Sequence, residues 1–74
     1  MTYEEFKADI LSRIKRRPKF IRKGQAVFNL VDSDYGVARA VQFRDGIDCY
    51  HRDDLIEEFL KASWKRIKPN LQQL

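Results

Sequence analysis

Two apolar stripes at helical spacing, one near each end of the chain, limit the folds that these 74 residues can adopt. The first stripe follows Thr2-x-x-Glu5, a capping box in which each side chain bonds to the other residue's amide. In both stripes apolar side chains recur every three or four residues, which predicts one buried face of an α-helix. The stripes consist of Tyr3, Phe6, Ile10, Leu11 and Ile14, and of Leu55, Ile56, Phe59, Leu60, Ser63, Trp64 and Ile67.

Helix breakers and caps beside the two stripes predict where both helices begin and end. Pro18 disfavours helical geometry in the residue before it, so we predict the first helix at about residues 3–16. Asp53 and Asp54 precede the second stripe, where carboxylates accept from free amides and favour a helix N-terminus. We expect the last helix to end at Pro69 and the residues beyond it to fray.

The middle of the chain begins with a short apolar segment, residues 25–31, that we predict to be helical with Ala26, Val27, Leu30 and Val31 in the core. The following Asp32-Ser33-Asp34 favours a break, after which the chain restarts with Asp34 as a helix N-cap.

Residues 37–50 fit two structures. Alternation over residues 37–43 and the turn signal Asp45-Gly46 favour a β-hairpin, which would make the fold α+β. Two alanines and a helical apolar face favour a helix instead, and an isolated hairpin of two strands is weak. We therefore predict an all-α fold, a compact bundle of three or four short helices closed around Phe28 and Val31.

Composition limits the class of protein. The apolar content of 43% is that of a globular chain rather than a disordered one. A single cysteine, Cys49, excludes an internal disulfide and is typical of a reducing compartment. No apolar run reaches the roughly 18 to 20 residues that cross a bilayer. The acidic first residues do not resemble a signal peptide. We expect one cytoplasmic domain without membrane contact.

Charge is strongly segregated along the chain, whereas the net charge of +4 alone says little. Residues 10–31 carry seven basic side chains and no acid, and residues 32–58 carry eight acids against three arginines. Such opposite potentials suit steering toward a charged partner, and they equally suit pairing between the two segments.

The basic run that precedes Gly24 is the leading candidate for a binding site. Lysine and arginine neutralise phosphates and release counterions, and an exposed aromatic ring can stack on a base. Gly24 and the helix start behind it would add free amides that also favour an anion. We therefore predict an association with nucleic acid. The predicted contacts are Arg13, Arg16, Arg17, Lys19, Phe20, Arg22 and Lys23.

Other interpretations stay open. The basic run could be a solvated linker whose cations meet the acids of residues 45–58, with Phe20 and Ile21 tucked inward.

The chain could instead be a protein–protein adaptor or an inhibitor of a host factor, with an acidic face or an exposed aromatic as its contact. Most of the aromatics, Phe43 included, are expected in the core, with one or two at an interface. A homodimer built on one apolar face is a further possibility. The acidic face would consist of Asp45, Asp48, Asp53, Asp54, Glu57 and Glu58.

The residue pattern does not favour catalysis or metal binding. Asp48, Cys49, His51 and Asp53 are four possible ligands in six residues, but structural zinc needs separated pairs of Cys and His. Cys49 and His51 lack a third group that would orient them for nucleophilic catalysis. Capping explains the carboxylates of residues 53–58, and so short a chain has little room for a pocket that excludes water. We predict no enzymatic activity, no cofactor and no metal.

A set of stretches between Arg17 and Phe59 forms a recognisable pattern. They are Arg17-Pro18, Arg22-Lys23-Gly24-Gln25-Ala26-Val27-Phe28-Asn29-Leu30, Tyr35-Gly36-Val37-Ala38, Asp48-Cys49-Tyr50, Asp53, Ile56 and Phe59. In these stretches the chain resembles a group of very small proteins encoded by phages and mobile elements, in which a Gly-Gln-x-x-Phe-Asn segment is followed by an Asp-x-aromatic motif and a last helix. The resemblance implies an all-helical middle segment and a protein that binds a host protein or nucleic acid, and it implies no catalytic residues. Where that pattern often has proline after the aspartate, this chain has Cys49.

Overall fold

The fold is all-α, as a computed structural model shows for residues 1–72, with side chains described as far as residue 68. Its four helices are α1 (Tyr3–Arg13), α2 (Lys23–Tyr35), α3 (Ala38–Phe43) and α4 (Ile56–Gln72). Short 3₁₀ turns follow α1 at Ile14–Arg16 and precede α4 at Asp53–Leu55. Residues 1–72 contain no β-strand, so the all-α prediction is confirmed and the hairpin alternative is wrong.

Helix α1 begins and ends where the local sequence predicts. The amide of Glu5 donates to the Thr2 hydroxyl at 3.2 Å, and the amide of Thr2 donates to the Glu5 carboxylate at 2.8 Å, which confirms the capping box. The last turn narrows to 3₁₀, and Arg17 is extended with φ −64° and ψ 153°. Pro18 requires this extended geometry, so the predicted range of residues 3–16 is confirmed.

Helix α2 is longer than predicted, because it continues through Asp32-Ser33-Asp34. The expected break there is wrong, and Asp34 bonds to Arg13 instead of acting as an N-cap. Polar residues lower helix propensity by only a few tenths of a kcal/mol each, so tertiary contacts outweigh them. One such contact is the edge-on packing of Tyr35 against Phe6, with ring centroids 5.3 Å apart. The helix ends at Gly36, whose φ of 71° places it in the left-handed region that glycine favours.

The core lies where α1, α2 and α4 meet, with α3 closing one side. Phe6 is fully buried and stacks on Trp64 with ring centroids 5.5 Å apart. Phe28 is nearly buried and contacts Phe59 and Tyr50, at centroid distances of 5.8 and 5.3 Å. In the described part of the chain, the other fully buried apolar residues are Ile10, Val27, Val31, Ala38, Val41, Cys49, Phe59 and Leu60.

Helix α4 buries the predicted face but not the predicted end. Phe59, Leu60 and Ser63 are fully buried, and the predicted neighbours Leu55 and Ile56 are half-buried. The prediction that the helix ends at Pro69 is wrong, because it continues to Gln72. Proline disfavours a helix interior because it removes one amide donor and crowds the carbonyl four residues earlier, but in α4 the helix continues past it. Part of the predicted frayed end, residues 73 and 74, lies outside the described residues.

Candidate functional site

A braced turn links α1 to α2 and displays Lys19 and Phe20. The amide of Ile21 donates to the Pro18 carbonyl at 3.0 Å, which closes the turn. The Arg17 guanidinium donates to the carbonyls of Ile21 at 2.8 Å and of Ile14 at 3.1 Å. Arg17 therefore ties the turn to the end of α1, so that the two central residues occupy a defined position.

Phe20 points into solvent from the corner of this turn, with 84% of its surface exposed. The expectation that Phe20 tucks inward is wrong, whereas Ile21 is half-buried. The hydrogen bonds of Arg17 explain the difference, because they orient the turn with Ile21 toward the body of the protein and leave its corner outside. An exposed phenylalanine on a constrained turn can present both faces of its ring to a ligand.

The predicted phosphate contacts divide into two groups. Arg13 bonds to Asp34 and Asp9. Arg17 is occupied by the backbone carbonyls, and Arg22 donates to the Tyr50 carbonyl at 2.6 Å. These three arginines have intramolecular roles. The others are exposed and form no ion pair with a residue in the described part of the chain, and Lys15, which the prediction did not include, behaves in the same way. This second group, the free cations, is Lys15, Arg16, Lys19 and Lys23.

The acidic face is largely neutralised by contacts within the chain. Asp45 receives both arms of the Arg66 guanidinium, at 2.7 and 2.9 Å. Glu57 pairs with Lys7 at 2.7 Å, and Asp54 pairs with Arg52 at 2.6 Å.

These bonds are reflected in the pKa values of the carboxylates. The hydrogen bond from Arg66 lowers the pKa of Asp45, and the one from Lys7 lowers the pKa of Glu57. Surface pairs of this kind add little stability, but they cancel negative charge locally. Within the six-residue acidic face, Glu58 alone forms no hydrogen bond or ion pair to the described side chains. The charged side chains that remain unpaired on the described surface are therefore predominantly positive.

The start of α2 is already occupied by a carboxylate from a distant part of the chain. The amide of Gly24 donates to Asp53 Oδ1 at 3.0 Å, although the two residues are 29 positions apart. The prediction that this amide is free for an external anion is therefore wrong. Gly24 is needed here, since a Cβ atom would lie 2.0 Å from the carbonyl oxygen of Cys49. Gln25 also bonds to the loop, because its side-chain amide donates to the Tyr50 hydroxyl at 3.1 Å.

Cys49 and His51 do not form a reactive pair. Cys49 is fully buried and its thiol donates to the Gly24 carbonyl at 3.3 Å. Burial raises the pKa of the Cys49 thiol to about 12, so the thiol stays protonated and is a poor nucleophile near neutral pH. His51 is exposed, and its Nδ1 lies 2.7 Å from a carboxylate oxygen of Asp48. Among the residues that the structure describes, no three Cys, His, Asp or Glu side chains are grouped closely enough to hold a metal ion.

Phe43 is a second exposed aromatic residue, and the prediction that it lies in the core is wrong. It ends α3 with 77% of its surface in solvent. The helical period does indicate this exposure, because position 43 lies about 200° around the helix from the buried Val41.

None of the helices in the described part of the chain is long and apolar enough to span a bilayer. Comparisons of the chain with protein-family models, with curated proteins and with solved structures gave no match.

Proposed function

We propose that this protein is a non-catalytic module that binds single-stranded nucleic acid through the Lys19–Phe20 turn and the free cations around it. The observation that supports it most is Phe20, 84% exposed at the corner of a turn that Arg17 braces, with Arg16 and Lys23 exposed on either side along the chain. The internal pairing of the acidic face adds support, because it leaves a surface whose unpaired charge is mainly positive.

The preference for single strands follows from the chemistry of Phe20. Stacking of one base on an aromatic side chain contributes about 1–3 kcal/mol, and every base has a face that can stack. In a duplex these faces are covered by neighbouring base pairs, so an exposed ring gains little there. The free cations would contact phosphates, which gives affinity without base specificity.

The proposal assigns a different role to each group of basic residues. Arg16, Lys19 and Lys23 would bind phosphate directly. Arg17 would act only by holding the turn, so its replacement by alanine would disturb both the turn and the binding. A test should therefore leave Arg17 in place.

The experiment is a titration of fluorescently labelled oligo-dT and oligo-U with the purified protein, at about 50 mM and about 200 mM salt. The test variant is Arg16→Ala/Lys19→Ala/Lys23→Ala. The charge-matched control is Lys61→Ala/Lys65→Ala/Lys68→Ala, which removes three exposed cations from α4. Each phosphate contact contributes about 0.7 to the salt slope on single strands, so the test variant should lose a slope of about 2.

Phe20→Ala should weaken binding by about tenfold, which corresponds to about 1.4 kcal/mol of lost stacking. Its effect should persist at both salt concentrations, because stacking is not screened. If the test and control triple variants bound equally well, the assignment of the basic run would be wrong. If the wild-type protein did not bind even at low salt, the proposed function itself would be refuted.

A protein partner is the alternative function, and the exposed ring of Phe43 is the feature that favours it. In that case a stoichiometric protein should co-purify with the wild type and be lost with Phe43→Ala, while oligonucleotides fail to bind. The resemblance to small phage-encoded proteins suits either function, since such proteins act by binding. A reducing cytoplasm is the compartment that we propose for both, given the single thiol of Cys49.

A further inference from the structure

A groove of about 440 Å³ lies between the end of α1 and one face of α2. Its floor on the α2 side is formed by residues three and four positions apart, which therefore share one face of the helix. Of these, Ala26 and Leu30 are half-buried, so the floor is largely apolar. The four residues of α2 that line the groove are Ala26, Asn29, Leu30 and Ser33.

The opposite wall of this groove is built by the segment that also forms the proposed binding turn. Pro18 and Ile21 both line the groove, and the hydrogen bond between their backbones closes the turn. Arg17, which braces the turn, lines the groove as well, and the buried Ile14 completes this wall. The groove therefore adjoins the Lys19–Phe20 turn through residues that the two have in common.

Free cations flank the groove. Arg16 lines an adjoining depression that shares Arg13 and Leu30 with the groove. Lys23 lies seven residues before Leu30 on α2, which places it within about 20° of Leu30 around the helix axis. Arg13 itself is paired with carboxylates. Among the described residues, no Asp or Glu lines either depression, so the charge offered to a ligand at the edges of the groove is positive.

Asn29 is the polar group that the groove offers to a ligand. Its side chain is exposed and forms no hydrogen bond to the residues that the structure describes. The Ser33 hydroxyl, by contrast, lies within hydrogen-bond distance of the Leu30 carbonyl and of the Asp34 carboxylate. A carboxamide carries a donor and an acceptor side by side, which matches the N6 amino group and N7 of adenine. The same edge of guanine presents two acceptors, and a carboxamide can satisfy only one of them.

We propose that this groove holds one base of the bound single strand, that Asn29 recognises the edge of the base with a preference for adenine, and that Arg16 and Lys23 contact phosphates beside it. This inference rests on the proposed function and adds a base preference to it. The apolar floor supports it, because single-stranded RNA and DNA are recognised through unstacked bases that lie on apolar or aromatic surfaces and bond through their edges.

Base preference provides the test. Three labelled oligonucleotides of about ten nucleotides are titrated at about 50 mM salt, namely oligo-dT and two versions in which every third base is dA or dG. Comparison of the dA and dG versions isolates the edge contact, because both purines offer a similar area for stacking. The wild type should prefer the dA version by about fivefold, the lower end of the range for a bidentate base contact, since Asn29 is exposed.

Asn29→Ala should bind the dA and dG versions equally, whereas Lys23→Ala should weaken binding of all three oligonucleotides and keep the preference for dA. Ala26→Leu places a larger side chain on the floor of the groove and should weaken binding of the dA version by about fivefold. Its matched control is Ala8→Leu, on the exposed face of α1, which should bind as the wild type does. Circular dichroism checks that each variant keeps its helical content and cooperative melting.

This inference and the proposed function fail in different ways. If the wild type bound the dA and dG versions equally, or if Asn29→Ala kept the wild-type preference, recognition of the base by Asn29 would be wrong and the proposed function would stand. Unchanged binding by a folded Ala26→Leu would contradict a base in the groove. If the wild type bound none of the three oligonucleotides, the proposed function would fail and this inference with it.

Discussion

Replacement of Gly24 by alanine should destabilise the protein, although alanine is the better helix former. Gly24 is buried in the first turn of α2, and its amide donates to Asp53 Oδ1. A Cβ atom at this position would lie 2.0 Å from the Cys49 carbonyl oxygen and 2.7 Å from Asp53 Oδ1. The first of these neighbours is backbone, so the loop that contains it must move to make room.

The expected magnitude is the balance of three effects. Helix propensity favours alanine over glycine by about 1 kcal/mol. Forcing an extra methyl group into a packed site costs about 1–3 kcal/mol, and an overlap this large with a carbonyl group belongs at the upper end. Displacing the loop also weakens the Gly24–Asp53 hydrogen bond, which contributes about 1 kcal/mol once the partial exposure of Asp53 is taken into account. The net loss should be roughly 3 kcal/mol, or about 15 °C in melting temperature.

Urea and thermal unfolding followed by far-ultraviolet circular dichroism measure this change. Ala8→Gly is the matched control, because Ala8 is exposed in α1 and reports helix propensity alone, about 1 kcal/mol of destabilisation. If Gly24→Ala were as stable as the wild type or more so, propensity would outweigh the contact, and the close approach of α2 to the loop at Cys49 would be refuted.

Three further predictions concern single groups. The depressed pKa values of Asp34, Asp45 and Glu57 contribute stability above about pH 5 that is lost as pH falls toward about pH 3. The urea midpoint of the wild type should therefore fall over this range, and that of Asp34→Asn/Asp45→Asn should fall less. If the double variant lost as much stability in acid as the wild type, the pairing of these carboxylates would be contradicted. Cys49 should resist alkylation by iodoacetamide at about pH 8 until urea unfolds the chain, and mass spectrometry measures the alkylated fraction. If the folded protein were alkylated as fast as the unfolded chain, the burial of Cys49 would be contradicted. Ser63→Ala should leave stability unchanged or raise it by up to about 1 kcal/mol in urea unfolding, because the buried Ser63 hydroxyl has no hydrogen-bond partner among the described residues. A clear loss of stability would reveal such a partner.

The features that sequence reasoning predicted correctly depend on neighbours along the chain. The capping box of α1 needs only residues three positions apart, and Pro18 constrains only the residue before it. The buried face of α4 follows from helical periodicity, which is a local geometric property. The choice of helix over hairpin for α3 also followed from local propensity.

The candidate site was predicted less completely, because its parts depend on contacts between distant residues. The segment from Arg13 to Lys23 was identified from its composition, but composition does not distinguish Arg17, which bonds to carbonyls, from Lys19, which is free. The exposure of Phe20 depends on the hydrogen bonds that orient the turn.

What the sequence determined by itself is therefore the helical class, the position of the first helix, the inner face of the last and the location of the basic run. Only the tertiary structure decided that α2 starts at Lys23 and continues to Tyr35, because its N-terminal amide is capped by Asp53 and its last turn packs on Phe6. It also decided which charges remain unpaired and that the ring of Phe20 stays in solvent. These properties arise from groups that are far apart in sequence and meet only in the folded chain, so no local pattern encodes them.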